Sequence, residues 1–556
     1  MSLTRRNLIA GGALVGSLAA APAWSVSSDL SRGSFTHGLA SGDPLPEAVI
    51  LWTRFVAEGQ AFAVLRWEVS EYEDFRSIAA SGETSTTGAQ DWCVKVDASG
   101  LKPDGRYFYR FVSASGASPT GRTRTAPLRG REPLTVAGFA CSNLTMGHFR
   151  AYADAAARDD IDLCVHVGDY IYEGAMSSAR RSPDHVAGRE WLPDRELVIY
   201  TDYCQRYASY RADPDLQELH RVKPFVVVWD DHEFANDAWR EGAQAHQHLS
   251  EGSWKVRYQA AARAWFDWMP VRVHPGQPYR IHHRLQWGEL AHITMLDTRL
   301  LRDNQPLNFA THLAGYAEAG DATFAREALR IWHEVMGASD RSVLGFEQER
   351  WLDRQLAQSR ESGAVWQILV EGSVLGRWGM PAEGIDWLPA EASDAERLQR
   401  LIEVRAGALG LPYDTPLWNG FPTARERLLA SCAREGRNVF AFGGETHTGW
   451  YFDLPGGHDG PAAVEAALTA VTSSNSLRTA DRTSRDRAES LIAFNPELAW
   501  CDVNHWGYTV VRFTPIAAEA EHVGFASIAD PLAPVALRQR LVAEAGRTGV
   551  RPWQLA

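Results

Sequence analysis

A chain of 556 residues is long enough for more than one domain and a sizeable core. Its 45% hydrophobic and 22% charged residues are those of a globular protein. A formal net charge of −13 argues against a nucleic-acid backbone or an anionic membrane surface as a standing partner.

The N-terminus reads as a targeting segment. Thr4-Arg5-Arg6-Asn7-Leu8-Ile9 precedes a short Gly- and Ala-rich apolar run, and Ala21-Pro22-Ala23 offers a small-residue cleavage site. Residues 1–23 resemble a twin-arginine signal peptide and are left out of the fold. The expectation is a periplasmic or secreted protein, delivered by the Tat export machinery, with no transmembrane anchor in its mature form. An anchor suits the run poorly because it is short and Gly-rich, and no other stretch is long and apolar enough to span a bilayer. The six cysteines are scattered singly, with no spacing that sets up a disulfide framework.

Residues 34–127 carry an all-β signal of short alternating runs, among them Ala48–Phe55, Val64–Val69, Trp92–Val96 and Tyr107–Ala114. With the Leu101-Lys102-Pro103 turn and the Tyr107-Phe108-Tyr109 strand, this predicts a separate fibronectin-III/Ig-like sandwich. Basic Gly121–Arg131 reads as a linker. From 134 to 530 the pattern changes to strands alternating with helices, which predicts α/β layers. Leu134–Ala140, Ile161–Val167, Lys223–Trp229, Ala291–Leu296, Val365–Val370 and Asn438–Phe442 are continuous apolar runs of the kind that parallel sheets bury on both faces. Gly147–Asp160 and Gln348–Gln358 read as helices. The tail, residues 531–556, reads as one helical stretch.

Four of these strands end in groups that bind metals. Cys141 follows Leu134–Ala140; Asp169 and Tyr172 follow Ile161–Val167; Asp230-Asp231-His232-Glu233, with Asn236 behind, follow Lys223–Trp229; Glu445 and His447 follow Asn438–Phe442. Each has a plainer account on its own. Asp169 can cap a helix, the Asp-Asp-His-Glu run can serve a helix dipole, and Glu445-Thr446-His447 can be a surface turn. Carboxylates, thiolate, phenol and imidazole at four equivalent strand ends point instead to a centre for two unlike cations. Oxygen donors suit hard ions, whereas thiolate and phenolate suit Fe³⁺. Such a pair acidifies a water and clamps a phosphoryl group.

The chain resembles the PhoD-type alkaline phosphatases/phosphodiesterases, a branch of the calcineurin-like metallophosphoesterases. The resemblance rests on FTHGLASGDP…ILWTR, then CSN, GDYIYE, YRADPDLQ, WDDHEFAND, LDTR, LGFEQERWL, WNGFP, GETH and NPEL…GY, in the family's order. It implies a four-layer αββα core holding Fe³⁺ beside Ca²⁺ and hydrolysing phosphomonoesters and phosphodiesters. It makes Asp169 the bridging ligand, places Cys141, Tyr172 and His447 on iron, and puts Asp231 at the second metal. His232 becomes the candidate to protonate the leaving oxygen or steady the transition state, with Asp230 and Asn236 orienting the ligands.

Three positions depart from the family pattern. Glu445 stands where Gly-Asp-x-His is usual, Asn419 where WNGFP usually has Asp, and Glu371-Gly372-Ser373 where an amide is usual. Arg299 and Arg425 are candidate phosphate clamps, with surface or structural ion pairing as the plainer account. The alternatives to the phosphoesterase reading are a phospholipase-D-like diesterase and a non-catalytic, metal-braced binding protein. The phosphate ester is the expected substrate, and no nucleic-acid complex is expected.

Overall fold

The computed structural model describes residues 29–556 except 183, 278, 304–308, 414–416, 476 and 479–482. The expected signal peptide, residues 1–23, lies outside the described residues. Leu134–Phe139, Leu163–His166 and Pro224–Val227 are buried at every position and pair in parallel, with Leu163–His166 in the middle. Ala291–Met295, Trp366–Val370, Val439–Gly443 and Ala463–Ala467 form a second parallel set. Among the described residues the first set lies in a ten-stranded sheet and the second in a seven-stranded one.

The two sheets face each other. Phe139 and Val165 share a core with Ile368, Phe440 and Phe442, and an isolated bridge joins Ala140 to Ala470. The alternate residues Leu369, Val439 and Ala441 point the other way. They pack with Leu352 and Leu356 of helix Gly345–Glu361 and with Leu428 and Leu429 of helix Pro422–Glu435. Each central strand therefore buries both faces, which explains its unbroken apolar run. The outcome is a mixed α/β fold with large sheets. Among the described residues no helix is long and apolar enough to cross a membrane.

Residues 34–127 are all-β, with Leu39, Leu51, Phe55, Leu65, Tyr107 and Phe111 in one core. They do not stand apart as expected. Strand Gly33–Leu45 pairs in parallel with Pro224–Val227 through Ser41 and Gly42, so Gly33–Leu45, Ala48–Ala57 and Cys93–Ser99 prolong the ten-stranded sheet. Without that pairing, Pro224–Val227 would bury an unpaired edge. Part of the expected linker is also a strand, since Gly121–Arg124 pairs with Arg106–Ser113.

The tail corrects the expectation of a helix. Val535–Glu544 is a strand paired along its length with Ala517–Phe525, and Gln554–Leu555 adds a short strand beyond it. Its Ala, Leu, Arg and Glu residues favour a helix in isolation, but the open edge of Ala517–Phe525 outweighs that preference.

A charged hydrogen-bond cluster helps tie the two sheets together. Asp502 ends strand Leu498–Asp502 of the seven-stranded sheet, and its carboxylate accepts hydrogen bonds from His505 (3.0 Å) and from His522 (3.0 Å). His522 belongs to Ala517–Phe525 of the ten-stranded sheet. Burial alone would raise the Asp502 carboxyl, but the bonds from His505 and His522 outweigh it and hold the group well below the usual carboxylate range. A depressed acid contributes stability above its unfolded pKa, about 3.9, and loses it as pH falls toward the folded value. Asp502→Asn should therefore be less stable than wild type at pH 7 by roughly 1–3 kcal/mol. That gap in denaturant midpoint should shrink below about pH 4; a constant gap would reject the account.

Candidate metal centre

Side chains converge where four strands leave their ladders, the end of a parallel sheet at which ligands gather. The turns there are unusual. φ is 56° at Cys141, 53° at Asp169, 74° at Glu445 and 59° at His447, and such left-handed backbone costs a non-glycine residue about 1–3 kcal/mol. Four such positions at one place mark a functional constraint. Gly168 lets the turns close, because a Cβ there would stand 2.4 Å from the Asp230 backbone nitrogen.

Three overlapping groups result, each with ligand atoms within 4.8 Å of one another: Cys141, Asp169 and His447; Asp169, Asp231 and His232; and Asp169, Asp230, Asp231 and Glu445. Asp169 is common to all three and is fully buried. Tyr172 joins the first group, its hydroxyl 3.3 Å from Asp169 Oδ2 and 3.4 Å from His447 Nε2, while Cys141 Sγ lies 3.5 Å from the same Oδ2. His447 Nδ1 donates to Ser474 O at 2.5 Å, which leaves the Nε2 lone pair facing the cluster. His232 Nδ1 donates to Glu173 at 2.7 Å, and the ring lies tilted by 35° against Tyr172 with centroids 4.2 Å apart.

Arg299 is fully buried and sits inside the cluster as a counter-ion. It holds Asp230 through two nitrogens, lies 3.2 Å from Glu445 and 3.6 Å from Asp231. The surface pairing considered for it is excluded by this burial, and the donors that face the carboxylates are already taken up. Asn236 and Arg425 stay outside. The Asn236 backbone nitrogen donates to Glu173 and its amide to Gln244; Arg425 donates to Leu375 O and Glu497, because its helix packs on the far face of the second sheet. Asn419 donates to Gly376 O, and Glu371 accepts from Trp418 Nε1 at 2.5 Å with its other oxygen unpartnered.

The electrostatics fit cations. Burial, then the charges of Asp231, Asp230 and Glu233, drive the Asp169 carboxyl well above the usual range despite the opposing pull of His232. Burial and then Asp169 do the same to the Cys141 thiol and the Tyr172 phenol. Glu445 is pushed up to about 8 by burial and Asp231. Among the carboxyl groups of the cluster, Asp231 goes down, to about 2: burial opposes this, but Arg299 and His232 outweigh it. Asp231 Oδ1 is also buried without a hydrogen-bond partner. Groups forced toward neutrality by crowding regain their anionic, ligating forms when positive charge enters. The donor set therefore fits a sulfur- and phenol-bearing position beside an oxygen-rich one, joined by Asp169.

Sequence reasoning missed two acids. Glu233 accepts from the backbone nitrogens of Asp169 (3.0 Å), Tyr170 (2.6 Å) and Asp230 (2.7 Å), and so fixes the ends of two strands against each other. Glu173 steers His232. Both lie inside the GDYIYE and DDHE runs, yet neighbours with obvious ligand roles masked them.

Comparison with known proteins shows the family. Residues 134–522 match the PhoD-like phosphatase family, and residues 19–127 match the PhoD-like phosphatase N-terminal domain. The chain belongs to the PhoD-like phosphatase family. It is 28% identical over 541 residues to alkaline phosphatase D of Bacillus subtilis (strain 168), covering 94% of this chain and 83% of that protein. The solved structure of PhoD superposes with a TM-score of 0.74 at 26% identity, covering 94% of this chain and 92% of that one. This PhoD-like phosphatase is a phosphoric ester hydrolase. Because Glu233 holds the backbone on which Asp169 stands, Glu233→Gln should weaken metal binding about 10–100-fold in competition with a chromophoric chelator. Unchanged affinity would show that the tie is dispensable.

Proposed function

We propose that this hydrolase is exported and cleaves both phosphomonoesters and phosphodiesters. In this reading Cys141, Asp169, Tyr172 and His447 hold Fe³⁺, while Asp169, Asp231 and Glu445 hold Ca²⁺. The observation that carries the reading is Asp169, one buried carboxylate shared by a sulfur-phenol-imidazole group and an all-carboxylate group. Bound there, the two cations supply the charge that draws in the phosphoryl oxygens and acidifies the attacking water.

The protein's own residues do the rest. His447 is fixed in the ligating tautomer by Ser474 O. His232 is half-buried rather than sealed, and a ring nitrogen lies near Asp169 and Asp231, so it faces the side where a leaving group departs. Glu173 favours the protonated ring, which makes His232 the donor to the leaving oxygen. Glu445 reaches the cluster with a longer side chain than the usual Asp and shares its charge with Arg299. Export is supported by the paired arginines and the small-residue site within residues 1–23.

Metal-replete enzyme should hydrolyse p-nitrophenyl phosphate and bis(p-nitrophenyl) phosphate, lose both activities to a chelator and regain them with Ca²⁺. Elemental analysis should find iron and calcium together. Asp169→Ala should abolish turnover, and His232→Ala should lower kcat about 10²-fold or more with little change in KM. Turnover of neither ester, or intact activity in Asp169→Ala, would overturn the proposal.

A further inference from the structure

Beside His447 the rim of the site carries a cation that the metal centre does not use. Arg478 follows the turn Ser473-Ser474-Asn475, and its backbone nitrogen donates to Asn475 O at 3.2 Å. That turn is fastened to the centre twice: Ser473 Oγ lies 2.5 Å from the Tyr172 hydroxyl, and Ser474 O accepts from His447 Nδ1. The Arg478 guanidinium lies 3.6 Å over the Trp506 ring, whose Nε1 donates to Ser473 O at 2.8 Å. One indole and one serine therefore separate the guanidinium from Tyr172, a span on the order of 10 Å from stacking and hydrogen-bond spacings.

A guanidinium laid flat on an indole is held in place by its face, while its N–H donors remain free in the plane. At Arg478 nothing among the described residues takes them. Nε is buried without a hydrogen-bond partner, and no described carboxylate forms an ion pair with the group. Asp184, the acid whose charge it feels, is engaged by Ser474 Oγ at 2.7 Å. Arg478, Ser474, His447 and His232 are all half-buried, so this is a side from which solvent and substrate reach the buried acids. In a chain of net charge −13, a pre-oriented guanidinium with no ion-pair partner among the described residues, next to an anionic centre, is a place for an anion.

We propose that Arg478, held on Trp506, binds a second anionic group of the substrate, so that the enzyme favours esters carrying a further phosphate or carboxylate beyond the scissile phosphoryl group. The proposal rests on the hydrolase reading and names the substrate class of that same site. Arg478 makes no contact with the ligand groups, so its effect falls on substrate binding and leaves metal loading alone.

The test compares butyl phosphate with 1,4-butanediol bisphosphate, measured by phosphate release in wild type, Arg478→Gln and Arg478→Lys. In Arg478→Gln, kcat/KM for the bisphosphate should fall about tenfold through KM, with butyl phosphate changed less than about twofold. Arg478→Lys should lie between, since it keeps the charge and loses the fork. Unfolding midpoint and metal content should match wild type in both. An equal fall for both substrates, or no fall for either, overturns the proposal. Calorimetry with 1,4-butanediyl bisphosphonate and butylphosphonate decides the anion site independently of turnover. If wild type hydrolyses neither ester, the phosphomonoester part of the proposed function fails, yet a preference for the bisphosphonate that disappears in Arg478→Gln would still support the site. No such preference in wild type would overturn it.

Discussion

The carboxylate of Asp169 is pressed, fully out of water, against a thiol, a phenol and three further acids. A buried anion surrounded by anions is among the least favourable arrangements a protein can build, and it persists only where the surrounding structure imposes it. Two facing sheets impose it here by ending four strands at one place. The left-handed turns at Cys141, Asp169, Glu445 and His447 aim the side chains inward rather than along their strands. Glu233 collects three backbone N–H groups and so keeps the two acid-bearing turns in register. Arg299 relieves part of the repulsion from inside by holding Asp230 and Glu445, while Asp231 Oδ1, 3.6 Å from the same guanidinium, has no hydrogen-bond partner among the described residues.

The departures from the family pattern have local explanations in this arrangement. Glu445 is one methylene longer than the Asp usual at its place, and its reach brings it to Arg299 as well as to the other carboxylates. Glu371 is tied to Trp418 and abuts Asp230 through Gly372, where a Cβ would come 2.4 Å from Asp230 Oδ1. Asn419 carries no charge and is used for a hydrogen bond to Gly376 O. Two of the three changes thus leave the acids around Asp230 and Asp231 in contact with a cation or a donor, and the third lies clear of them.

Much of this was legible in the sequence because the central strands are apolar on both faces and stop abruptly at Gly-Asp, Asp-Asp and Gly-Gly. Burial makes such runs unambiguous, and polar groups directly after them have little to do but function. The tail was misread for the opposite reason. Val535–Glu544 is the last long strand before the sheet edge, with one face in solvent, and its Arg, Gln and Glu residues carry no strand preference of their own. The continuity of Gly33–Leu45 with Pro224–Val227 was invisible because sheet pairing between distant segments leaves no local pattern. Arg425 shows the limit for charged residues: an arginine near a motif reads the same whether it faces a ligand or, as here, Glu497.

The parallel pairing of Ser41 with Pro224 also orders events during synthesis. The first strand to emerge has its inner neighbour in a segment made far later, so an incomplete chain carries an exposed β-edge until Pro224–Val227 has been produced. Closure of that gap seats the N-terminal strands in the same ten-stranded sheet as the strands that lead to Asp169 and Asp231.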